Sequence, residues 1–159
     1  YYLHTGATRE DTYFVIVSRD GFKIHINMEG KILNREPLPK SSVAAQFTLL
    51  KEENDKGYLV LRQEEKQLTI LNEENKELIN NDFIGMNPVH VEYLDFGTAE
   101  AHITIRDLSQ DLCFIYSDKG TLRTLQPIET KGLSLRQDLG KYLKIYSVMN
   151  KSLTIRQLD

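Results

Sequence analysis

Four histidines and one cysteine are the residues with most chemistry to offer: His4, His25, His90, His102 and Cys113. Two histidines two or four residues apart, or a cysteine pair beside them, would hold a metal ion. None of the four has that spacing, so no metal site is expected. His25 reads as a histidine on a partly buried strand face, and His102, at the start of a strand, as a surface residue. A nucleophilic cysteine needs a base at hand and an electropositive, partly exposed setting. Nothing in the sequence supplies either for Cys113, which aligns with Lys23 and Leu68 inside a strand and reads instead as a small buried apolar residue.

Carboxylates offer general acid–base or calcium chemistry. The runs Glu52-Glu53-Asn54-Asp55, Glu64-Glu65 and Glu73-Glu74 lack the alternating spacing of a calcium loop. They fall where hairpin turns are expected, and charge there keeps loops solvated and sheet edges unpaired. The chain has no glycine-rich phosphate loop, no dinucleotide fingerprint and no nucleophile elbow. Asn150-Lys151-Ser152 matches a glycosylation sequon, and as a short polar run it reads as a β-turn. No catalytic residue and no cofactor are expected.

A single Asn or Gly recurs where these side chains must be positioned. Ile26-Asn27-Met28-Glu29-Gly30-Lys31 returns 45 residues on as Leu71-Asn72-Glu73-Glu74-Asn75-Lys76, and 45 further as Tyr116-Ser117-Asp118-Lys119-Gly120-Thr121. Gly30, Asn75 and Gly120 are the residue types that most readily take positive φ, which predicts one tight hairpin turn made three times. The offset extends upstream, aligning Tyr13, Tyr58 and Ile103; Val15, Val60 and Ile105; and His25, Ile70 and Ile115. A fourth copy follows a shorter step, Ser152-Leu153-Thr154-Ile155 echoing Gln67-Leu68-Thr69-Ile70. The repeats run approximately over 1–42, 43–87, 88–131 and 132–159.

Each copy reads as strands. Tyr13 to Ser18 is rich in β-branched residues, and Phe22 to Asn27 alternates apolar with polar as a half-buried strand does. Outer strands are expected at Lys31 to Leu38, Glu77 to Ile84 and Thr121 to Pro127. Gly85-Met86-Asn87-Pro88 closes the second copy. No long segment carries a helical period. The apolar share is 40% and the charged share 27%, with a net charge of −3. That balance argues against a nucleic-acid partner, which would call for a basic patch. No apolar run approaches the roughly 20 residues of a membrane span. The chain opens at Tyr1-Tyr2 without an initiator Met and stops where the fourth copy is due its turn, so we expect it to be part of a longer chain.

Four antiparallel strands per 40 to 45 residues or so is the unit of a propeller blade. On these residues, 1–159 resembles the broad β-propeller repeat class, WD40-like or PQQ-like. It has no Trp-Asp ending, no Gly-His opening and no aromatic-glycine signature. The resemblance implies an all-β, β-propeller-like array: a single domain with about three complete blades and a partial fourth. It would belong to a ring of roughly six to eight blades, or form a four-bladed ring closed by a borrowed strand. A β-sandwich or open meander also fits the strand pattern. The leading functional expectation is a non-catalytic protein-interaction or structural scaffold, with a protein partner and scope for self-association. The alternative is a ligand-binding or enzymatic propeller whose central-channel site lies partly outside this segment.

Overall fold

The computed structural model describes residues 1–40, 42–51, 57–64, 67–82, 89–97, 100–138 and 142–158. Within them it is all-β: four antiparallel sheets and no helix. The acidic run at 52–55, Glu65 and the segment expected to close the second copy at 85–88 lie outside the described residues. The chain divides into two compact units, Tyr1–Ile84 and Gly85–Asp159.

In the first unit, β1 (Tyr2–His4), β2 (Tyr13–Val17), β3 (Phe22–Asn27) and β4 (Ile32–Pro37) form the first sheet in sequence order. The second is built likewise from β5 (Gln46–Lys51), β6 (Tyr58–Glu64), β7 (Gln67–Leu71) and β8 (Glu77–Asp82). Tyr2, Val15 and Leu38 from the first sheet meet Tyr58, Val60 and Leu71 from the second in one buried cluster. Residues 58–62 and 68–71 are buried throughout. Period-2 alternation in burial is lost there.

The second unit holds a third sheet of β9 (His90–Leu94), β10 (His102–Asp107), β11 (Leu112–Ser117) and β12 (Ile128–Glu129). Its fourth sheet has β13 (Gly132–Asp138), β14 (Tyr142–Met149) and β15 (Ser152–Leu158). Cys113, Ile115 and Ile128 pack against Leu143 and Ile145. The outer strand of the third copy differs from the expected Thr121 to Pro127. Leu122 makes an isolated bridge to Tyr116, and the chain then bends through Thr124–Gln126 before Ile128 pairs with Cys113. Pro127 has no N–H for a ladder, and the detour carries Leu125 into solvent while Ile128 becomes fully buried.

The turns at Gly30, Asn75 and Gly120 share one geometry. Each of these residues has positive φ (82°, 62° and 82°) and donates its N–H to the carbonyl of Asn27, Asn72 or Ser117, three residues back, at 2.9–3.0 Å. That same Asn or Ser then bonds Lys31, Lys76 or Thr121 across the hairpin. Its side-chain oxygen also accepts two backbone N–H groups inside the loop. This is a type I turn closed by a left-handed residue, with the Asn or Ser supplying an Asx-type cap.

Register is where the alignment needs correction. β3, β7 and β11 begin at Phe22, Gln67 and Leu112, in step with the 45-residue offset. The strands before them are not in step. His25, Ile70 and Ile115 pair with Val15, Leu61 and Thr104. The aligned positions were Val15, Val60 and Ile105, so the second and third copies slip by one residue in opposite directions. Hairpin length is the cause: residues 18–22 separate one pair, 64–67 the equivalent pair and 107–112 the third. A one-residue slip turns every side chain to the other face.

An added Cβ on Gly30 meets nothing within 4 Å, so substitution there tests backbone conformation alone. Gly30→Ala is expected to cost about 1 kcal/mol, seen as a lower urea midpoint at unchanged slope.

Candidate functional site

Polar side chains gather between the two sheets of the first unit. The pairings His4 with Tyr13, Val15 with His25 and Val17 with Lys23 put these residues on one face of the first sheet, and Glu36 joins them opposite Lys23. Tyr2, on the same face, lies 5.0 Å from the Tyr58 ring of the second sheet. The Tyr13 ring stacks on His4 at 4.6 Å and on His25 at 5.0 Å. No spacing in the sequence marks His4 and His25 as neighbours; the strand pairing brings both to one tyrosine.

Lys23 anchors this face. Its side chain is 3% exposed, and its Nζ donates to the Glu73 carbonyl at 2.5 Å and to Asn75 Oδ1 at 2.9 Å. The third partner is Glu36 Oε1 at 2.7 Å. Three N–H groups thus meet three acceptors, two of them in the turn that the left-handed Asn75 shapes. The bond from Lys23 holds the Glu36 carboxyl below its usual range. Burial, with the Glu73 charge nearby, pushes the Tyr58 hydroxyl well above the ordinary tyrosine value. Burial and then the Lys23 charge hold His25 below the ordinary histidine value, and its Nε2 is buried without a hydrogen-bond partner.

The arrangement is a clamp between sheets. With its N–H groups all engaged, Lys23 presents no open face to a substrate, and Glu36 is committed to it. Among the described residues no group of three or more His, Cys, Asp or Glu is placed to hold a metal ion.

The remaining candidates lie apart from this cluster. His102 is not a surface residue: it is 2% exposed. The slipped register of β10 turns His102 and Thr104, in place of Ile103 and Ile105, to the face that carries Cys113 and Ile115. Burial holds His102 below the ordinary histidine value. His90 is exposed and lies 3.2 Å from Glu92. Cys113 is fully buried, and burial pushes its thiol up to about 12. Glu73 and Glu74 sit in the second-copy turn, where Glu73 Oε1 accepts the Tyr58 N–H at 3.3 Å. Asn150 and Lys151, both with positive φ, form the tight β14–β15 turn. Sequence reasoning passed over Asp107. It is buried at the β10–β11 turn, accepts from the backbone and side chains of Ser109 and Gln110, and reads in retrospect as an Asx turn.

No protein-family model matches the chain, and no curated protein does. Among solved structures it is similar to a protein of unknown function from Bacteroides caccae, at 13% sequence identity and a TM-score of 0.43. The likeness covers 92% of this chain and 58% of that one, so this chain spans little more than half the length of that protein. Among the described residues no helix is long and apolar enough to cross a membrane.

Lys23→Met keeps the volume and removes the clamp's donors. A loss of about 2 kcal/mol is expected, and the double variant with Glu36→Gln should fall short of additivity by about 0.5 kcal/mol or more in a denaturation cycle. Cys113 should resist iodoacetamide in the folded protein and react once urea unfolds the second unit. Alkylation at the same rate in both states would show that its burial is wrong.

Proposed function

We propose that this chain is a non-catalytic protein-interaction or structural module built from propeller-type blades. The observation that carries the reading is the outer face of the fourth sheet. Val148 pairs with Leu153 and Tyr146 with Ile155, setting four apolar side chains side by side on β14 and β15. Leu153 and Ile155 are 62% and 58% exposed. Arg136, Lys144 and Asp138 border the patch, with Lys144 Nζ 2.5 Å from the Asp138 carboxylate. An apolar centre with a charged rim is the anatomy of a protein interface.

Two features support propeller-type blades. The three-residue turn recurs with one hydrogen-bond pattern in three sheets. Within each unit, the third strand of the leading sheet also turns equivalent residues towards the following sheet: Lys23 makes its bonds to the second sheet's turn, and Cys113 and Ile115 pack on the fourth. Blades stacked by one rule bury successive apolar faces, as repeat architectures require. The polar cluster around Lys23 is spent on that stacking, which favours a binding module over an enzyme.

A photo-crosslinking side chain placed at Ile155 tests the reading in the cells that make the protein. The expected result is one discrete protein adduct, abolished by Leu153→Glu, with the circular dichroism spectrum unchanged. No adduct at Ile155, or an adduct pattern indifferent to Leu153→Glu, would count against an interaction face here.

A further inference from the structure

We propose that His25 makes the packing of the first sheet on the second sensitive to pH: a proton gained by its imidazole loosens the Lys23 clamp, and the two sheets part on acidification.

His25 lies on the face that the first sheet turns to the second, stacked at 5.0 Å on Tyr13 and one pair along from Lys23. Its Nε2 is buried with nothing to bond. A neutral imidazole tolerates that position, whereas an imidazolium adds a second cation and an N–H without an acceptor. The groups facing it are His4 on β1, Tyr13 on β2, Lys23 on β3 and Glu36 on β4, with Tyr58 on β6 and Glu73 in the β7–β8 turn lying beyond Tyr13 and Glu36. Glu36 is the carboxylate within the clamp, and it is already held by Lys23 at 2.7 Å. Protonation therefore sets two cations against one carboxylate. Whatever Glu36 gives to His25 it withdraws from Lys23, which with Glu36 ties the first sheet to the Glu73–Asn75 turn.

The equivalent positions in the second and third copies are Ile70 and Ile115, both fully buried. An aliphatic side chain therefore satisfies this place in the fold, and the histidine is the departure. Burial and the Lys23 charge depress the folded-state value of His25 below that of the unfolded chain, about 6.5. Its contribution is then complete above that unfolded value and is lost as pH falls below it. His102 carries the same sign in the second unit, so global stability cannot separate the two and the readout must be local.

Amide hydrogen exchange, corrected for intrinsic rates, should be compared at about pH 7.5 and about pH 5, either side of the unperturbed histidine value. In the wild type, protection should fall several-fold at Lys23–Asn27 and at Glu73–Lys76. In His25→Ile those segments should hold their protection, with β14 behaving alike in both proteins. His25→Gln, which cannot gain a proton, carries the same expectation should the isoleucine variant fail to fold. An equal fall in wild type and variant, or none in the wild type, overturns the proposal. So does an NMR titration placing His25 at or above the unfolded histidine value.

Discussion

Hairpin length decides which side chains meet between two sheets, because one residue more or less turns every following side chain to the opposite face. The rest of this structure depends on that constraint. β3, β7 and β11 keep their 45-residue step, held by turns whose left-handed residue and Asn or Ser cap leave little freedom in register. The hairpins on their other side vary in length, so β6 and β10 present a different set of residues from β2. In the first sheet Tyr13 and Val15 share a face with His25. In the second, Tyr58 and Val60 share one with Leu71 and pack back against Tyr2 and Val15. In the third, His102 and Thr104 take the buried places beside Ile115.

Both units solve the same burial problem with different chemistry. Where the third sheet meets the fourth, Cys113 and Ile115 fill the space with apolar volume. Where the first meets the second, the equivalent residues are Lys23 and His25, and the space becomes polar. A buried cation is costly unless its hydrogen bonds are met, and Lys23 meets all of its own across the two sheets. An apolar contact holds two faces together without fixing their offset. A lysine with three acceptors at set places fixes the turn at Asn75 relative to β3. The polar version trades stability for geometry, and it brings His25 a neighbour of like charge.

The fourth sheet stands in contrast. Its inner face is closed by Leu143 and Ile145, while its outer face leaves Leu153 and Ile155 largely in solvent. Isolated apolar residues on a surface need no explanation, whereas a contiguous set on two paired strands is the feature from which an interaction face is proposed. That is why the functional reading rests on a surface and not on the polar cluster, whose groups satisfy one another.

By itself the sequence determined most of the strands, though not the outer strand of the third copy, together with the antiparallel hairpins and the left-handed turn residues at Gly30, Asn75 and Gly120. These are local properties, written in period-2 alternation and in the few residue types that tolerate positive φ. It also marked Cys113 as a buried apolar residue, since its repeat position lies inside a strand and no base is placed beside it. The pairing of faces was out of reach, because the decisive hairpin lengths differ by single residues within otherwise similar polar runs. His102 was misjudged for that reason, and the stack of His4, Tyr13 and His25 went unseen. The Lys23 clamp needed more still: its partners lie 50 and 52 residues away on another sheet. Tertiary structure alone decided that contact, because a side chain's partner across two packed sheets is set by how the sheets lie together and not by anything adjacent in the chain.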